Sequence, residues 1–127
     1  MEKKFELNIN AKLTVTQEDI DDIVCTALEG GINYWCNEAD VVGEYLGEYG
    51  HEQIARGGKL KLYDSEEDKV YELTLEKLLN GIKLAVEQGY YHEYGWCDGH
   101  MIDTCQVDAL VADVIVQLAL FEDVIYG

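Results

Sequence analysis

The sequence contains no proline, and it carries only 9 Lys and Arg residues against 26 Asp and Glu. With no proline, low-complexity tract, clear repeat or Gly/Ser-rich linker, nothing divides the chain, and residues 1–127 read as a single globular domain. A chain of this length can hide well over half of its unfolded surface in one core. No apolar run approaches the roughly 18 to 20 residues that a bilayer-spanning helix needs. The opening Met1-Glu2-Lys3-Lys4-Phe5 lacks the apolar stretch of a secretory signal, so a cytoplasmic protein is expected. No phosphate loop, dinucleotide fingerprint or Ser-His-Asp order is present, and Gly30-Gly31 and Gly57-Gly58 lack the flanks such loops require. A non-enzymatic protein is therefore expected.

The shortage of bases leaves a formal net charge of −17. A surface of that sign repels phosphate backbones and anionic lipid heads, which disfavours direct binding to nucleic acid or membrane. Its natural partner is a basic protein surface. The excess acid reads either as an aid to solubility or as an imitation of nucleic acid that occupies a protein's nucleic-acid groove. Four cysteines, at 25, 36, 97 and 105, could pair in three ways, but without a secretory signal they read as free thiols or metal ligands.

Residues Phe5, Leu7, Ile9, Ala11, Leu13 and Val15 alternate with mostly polar neighbours, the pattern of one strand with one buried face. Thr16 and the acids after it start a helix with the stripe Ile20, Ile23, Val24, Ala27 and Leu28, closed by a left-handed cap at Gly30-Gly31. A second strand is expected from Ile32 to about Val42, then a loop with a helical turn around Glu52 to Arg56. Lys59–Tyr63 and Val70–Thr74 form a hairpin, and Thr74 caps a helix that ends at Gly89. Asp103-Thr104-Cys105-Gln106 reads as the capping box of the most apolar helix, which reaches about Phe121. The expected fold is α+β, an antiparallel sheet of about four strands with three helices, the last of them central.

Four ligand-type residues, His92, Cys97, His100 and Cys105, fall within one short stretch. Zinc takes four tetrahedral nitrogen or thiolate ligands, and the two-residue gap lets Cys97 and His100 approach one ion from a tight turn. Cys105 would join from the helix start, and the fourth ligand is His92 or, from a strand, Cys36. The site reads as structural zinc, or as catalytic zinc if Asp98 or Asp103 serves as a base. Equally, these cysteines read as small buried hydrophobes with no metal. Asp108 and Asp113 lie on different faces of the last helix. Asp113 and Gln117, one turn apart, could share a partner, and they read as a polar strip on its solvent side.

Tyr90, Tyr91, Tyr94 and Trp96 crowd one loop, and Tyr45 and Tyr49 another. Aromatics beside acids either complete the core or anchor a protein partner, because they bury much area at low entropy cost. The acids cluster at Glu18, Asp19, Asp21 and Asp22, at Glu44, Glu48 and Glu52, and at Asp64, Glu66, Glu67 and Asp68. Each cluster reads as a track for a basic groove or as a solvated face. The expected partner-binding set is Glu44, Glu48, Glu52, Asp64, Glu66, Glu67, Asp68, Tyr91 and Tyr94.

Two stretches, Ala27-Leu28-Glu29-Gly30-Gly31-Ile32-Asn33-Tyr34-Trp35 and Asp103-Thr104-Cys105-Gln106-Val107-Asp108-Ala109, resemble segments of small proteins carried by phages and mobile elements of Gram-positive bacteria. Among these are the anti-CRISPR inhibitors of type II CRISPR effector nucleases. The resemblance implies a protein acting inside the host bacterial cell by stoichiometric blockade, docked on a Lys/Arg-rich channel so that target DNA cannot enter. Two other expectations stand beside it: a zinc-dependent hydrolase using Cys97, His100 and Cys105, and a structural subunit of a phage or mobile element.

Overall fold

The computed structural model describes residues 3–8, 12–66, 68–90, 95–97 and 101–127. Among them the fold is α+β, with two antiparallel sheets in place of the single four-stranded sheet expected. The alternating run at the start is two strands, β1 (Lys4–Asn8) and β2 (Lys12–Thr16), paired with Phe5 opposite Val15 and Leu7 opposite Leu13. In this register every odd residue faces an odd partner, so the alternation of a hairpin is indistinguishable from that of one long strand. Leu13 and Val15 are buried, with Phe5 and Leu7 packed beside them.

Thr16 caps helix α1 (Gln17–Thr26): its hydroxyl accepts from the Asp19 amide and Asp19 accepts from the Thr16 amide, each at 3.0 Å. Ile20, Ile23 and Val24 enter the core as expected. The expected left-handed glycine cap does not form. The helix widens into a π turn, Ala27–Gly31, and neither glycine there has a positive φ. Because of that turn, residues 32 to 35 are not strand, and the second sheet begins at Cys36.

That sheet has the order β3 (Cys36–Val42), β4 (Lys59–Asp64), β5 (Val70–Leu73), with Leu60 and Leu62 buried between their neighbours. Thr74 accepts from the Lys77 amide and caps α2 (Leu75–Glu87). The final helix α3 (Ala109–Phe121) starts later than expected. Asp103 caps only a 3-10 turn, Thr104–Gln106, while Asp108 accepts from the Val111 amide at 2.9 Å and caps the helix itself. Residues Val111 to Ala119 of α3 are all buried. A glycine inside α2 lets the two helices meet: a Cβ at Gly81 would lie 2.5 Å from the Ile115 carbonyl oxygen.

Asp113 and Gln117 are buried, at 4% and 0% exposure, and this corrects the expectation of a solvent-side strip. The partner they share is the segment before β3. Trp35 donates its indole N–H to Asp113 at 2.8 Å, and the Tyr34 hydroxyl donates to the same carboxylate at 2.5 Å. Gln117 donates to Asp113 at 2.9 Å and to the Tyr34 oxygen at 3.1 Å, while its own oxygen accepts the amides of Ile125 and Tyr126, each at 2.8 Å. Neighbours on a strand point to opposite faces. Tyr34 and Trp35 reach one carboxylate because they lie in a turn. The segment 122–127 is thereby folded back so that Tyr126 stacks on Trp35, with ring centroids 4.7 Å apart and planes within 1°. The Tyr126 hydroxyl donates to Asp64 and shares a 2.9 Å hydrogen bond with Tyr71.

Asp113→Ala leaves the buried Trp35 N–H without its acceptor and removes one from Gln117. Stranded buried polar groups cost about 1 to 3 kcal/mol each, so a loss of roughly 3 kcal/mol is expected in denaturant unfolding, a large part of a small domain's total. Burial, followed by the hydrogen bond and the charge of Asp113, pushes the Tyr34 phenol up to about 12 from its ordinary 10.0. Burial first, and Asp64 and Tyr71 after it, also raises Tyr126. A raised folded value means the stabilising contribution is complete below about pH 10 and is lost as pH rises through about 12. Unfolding free energies measured across that window are expected to fall, and to fall less in Tyr34→Phe.

Candidate partner-binding surface

The loop between β3 and β4 is long, polar and glycine-rich, a composition that ordinarily gives mobility. This one is tied from within. Gln53 is 1% exposed and acts as an internal strut: its amide donates to the carbonyls of Glu44 at 3.0 Å and Val42 at 3.4 Å, and its oxygen accepts the Leu46 amide at 2.9 Å. Glu52, in the 3-10 turn Gly50–Glu52, accepts the amides of Glu48 at 2.8 Å and Tyr49 at 2.9 Å. A Cβ at Gly47 would lie 2.8 Å from the Cβ of Glu52, so glycine is what lets the loop close on Glu52.

The loop is joined to α1 through Arg56, which bonds Asp21 at 3.1 Å, the Glu52 carbonyl at 2.9 Å and the Glu52 carboxylate at 3.7 Å. The Tyr49 amide, ahead of the Glu48 amide and Arg56, holds the Glu52 carboxyl below its usual range, with partial burial opposing. Asp21 moves the other way, because its burial outweighs the pull of Arg56.

With its backbone fixed inward, the loop turns apolar side chains outward. Tyr45, Leu46 and Tyr49 are 61%, 51% and 56% exposed, and Tyr49 stacks on His51 with centroids 5.6 Å apart. Glu44 and Glu48 are exposed beside them. Exposed apolar groups clustered on a rigid support are the usual mark of a protein contact. The duplicated Gly-Glu-Tyr at 43–45 and 47–49 is the sequence signal of this arrangement, whereas nothing in the residue type marks Gln53 as its strut.

The other expected partner residues divide. Asp64 ends β4 and accepts the Tyr126 hydroxyl and the Glu66 amide, so it has a structural task, while Glu66 and Asp68 are exposed. Glu67, Tyr91 and Tyr94 lie outside the described residues. Trp96 is fully buried and belongs to the core, and Tyr90 packs against it. In the first acidic cluster Asp19 caps α1, Asp21 holds Arg56 and Asp22 accepts the Thr104 hydroxyl at 2.9 Å.

The expected zinc ligands are not gathered among the described residues, where no group of three or more His, Cys, Asp or Glu could hold a metal. Cys97 is buried and bridges to Ile102, Cys105 is exposed on its 3-10 turn, and His92, Asp98 and His100 lie outside the described residues. Of the ligands expected between residues 92 and 105, Cys97 and Cys105 are the two among the described residues. The Cys36 thiol donates to the Glu38 carbonyl at 3.3 Å, and burial pushes its pKa up. No disulfide joins the four cysteines. Asp103 caps its own turn.

Gln53→Leu removes the strut but keeps the buried volume. The amides of 43–49 are expected to lose order in spin-relaxation measurements, while overall stability falls by about 1 kcal/mol, because water can reach the released loop groups. Unchanged loop order would show that the glutamine is not what holds it.

Comparison of the chain with protein families, with curated proteins and with solved structures gives no match, so the reading of this surface rests on its own chemistry.

Proposed function

We propose that this protein is a non-enzymatic inhibitor that binds a basic, nucleic-acid-handling protein inside a bacterial cell. The partner implied by the sequence resemblance is a guide-loaded type II CRISPR effector nuclease. The observation that carries the reading is the strutted loop, which presents Tyr45, Leu46 and Tyr49 beside Glu44 and Glu48 on a chain of net charge −17.

The two components do different work. A field of this sign steers a basic surface to the loop and raises the association rate, but it adds little to the lifetime of the complex. The lifetime comes from burial. A tyrosine carries roughly 150 to 250 Å² of surface, which at about 25 cal/mol per Å² outweighs an exposed ion pair. A loop already fixed by Gln53 and Glu52 also avoids most of the ordering cost that a flexible one would incur on binding. Once docked, the protein excludes nucleic acid from the positively charged channel in which such nucleases hold their heteroduplex. Zinc at Cys97, His100 and Cys105 with His92 or Cys36 has only a structural part in this proposal.

The test is target-DNA cleavage by guide-loaded type II CRISPR nucleases at increasing molar ratios of this protein. Inhibition is expected to saturate near one to one, and only when the protein is added before the DNA. Tyr45→Ala with Tyr49→Ala is expected to weaken binding by about 30-fold, mainly through faster dissociation. Glu44→Gln with Glu48→Gln should slow association and flatten its salt dependence. Absence of inhibition across several such nucleases overturns the partner. Inhibition untouched by the tyrosine changes overturns the surface.

A further inference from the structure

Away from the loop, the folded-back segment and the hairpin end between β4 and β5 enclose a cleft of about 360 Å³. Its aromatic walls are Tyr34, Tyr71 and Tyr126, and its charged groups are Asp64, Glu66 and Lys69. That volume is at the small end of ligand sites, enough for one planar head group and a short stem. The walls are held in place. Tyr126 is stacked on Trp35 and bonded to Tyr71 and Asp64, Tyr34 is bonded to Asp113, and the Glu66 amide donates to Asp64 at 2.7 Å.

We infer that this cleft binds a guanidinium group carried on an alkyl stem. Phenol faces attract cations through the ring quadrupole, and a planar, weakly hydrated guanidinium stacks on them better than an ammonium does. Two carboxylates against one lysine leave the lining negative, and the Glu66 carboxylate can receive the forked N–H groups of guanidinium as a pair, while Asp64 already accepts from Tyr126 and the Glu66 amide. The field of the whole chain keeps anions out. The alkyl stem finds apolar surface at Ile125, which is about half exposed at the edge of the cleft. The inference needs no protein partner and stands whether or not the 43–58 loop docks on a nuclease. The group can arrive as an arginine side chain of another protein or as a small free guanidine compound.

The experiment is a titration of the isotope-labelled protein, followed through the Trp35 indole N–H and the Tyr126 amide resonances. Ethylguanidinium, arginine amide and the peptide Gly-Arg-Gly are compared with ethylammonium and acetate at matched ionic strength. Saturable shifts of both resonances are expected with each guanidinium compound, weaker binding with ethylammonium and no saturable response to acetate. Glu66→Gln, an exposed position, is expected to weaken guanidinium binding about tenfold while the spectrum stays that of a folded protein. Tighter binding of the peptide than of arginine amide identifies a protein side chain as the source, and the reverse order a free compound. A linear, unsaturable response to guanidinium, or one matched by acetate, overturns the inference.

Discussion

A carboxylate buried in the most apolar helix holds this structure in register. Asp113 is costly to desolvate, and only its three donors, Tyr34, Trp35 and Gln117, make its position tolerable. That requirement fixes where the turn before β3 meets α3. It also sets the plane of the Trp35 ring, on which Tyr126 lies, and Tyr126 in turn reaches Asp64 at the end of β4. Phe121 and Tyr71 complete the cluster edge-on. An apolar residue at position 113 could pack the helix equally well, but it would leave the orientation of Trp35 and the path of 122–127 unspecified. The buried polar group therefore contributes specificity of arrangement more than net stability.

The same division of labour runs through the acids. Each acidic cluster commits some members to architecture: Asp19 to a cap, Asp21 to Arg56, Glu52 to loop amides, Asp64 to Tyr126. Exposed members such as Glu44, Glu48, Glu66 and Asp68 are carried on frames made rigid by those commitments. An acidic surface of this kind is not a diffuse coat. Its charge is displayed beside fixed aromatic rings at two places, the strutted loop and the cleft under Tyr126. In the proposed reading, basic groups drawn in by the field find preformed apolar faces at both.

Much of the fold was legible because local signals agreed with the final packing. Thr16 and Thr74 are followed by helical stripes and cap the helices expected, and the hairpin of β4 and β5 has the length its polar turn suggests. Where the reading failed, tertiary structure overrode a local pattern. The parity of the β1–β2 register hid two paired strands within one alternating run. Gly30-Gly31 looks like a helix stop but sits in a π turn packed against the start of α3, where a Cβ at Gly31 would meet the Ala109 oxygen at 2.7 Å. Asp113 and Gln117 read as a solvent strip because polarity at one-turn spacing ordinarily faces water, and nothing near them in sequence announces Tyr34 and Trp35, about 80 residues away. Of the proposed binding surface, the tyrosines and glutamates were visible from composition, but the inward roles of Gln53 and Glu52 depend on hydrogen bonds that no residue pattern encodes.

In the proposed function, binding is carried by a preformed loop and not by acidity spread over the chain. Amide hydrogen exchange of this protein alone and bound to a basic nucleic-acid-handling partner tests that most directly. Strong protection concentrated at residues 43–49, with slow exchange already present there in the free protein, is the result the account requires. Uniform weak protection over all three acidic clusters, or none at 43–49, would contradict it.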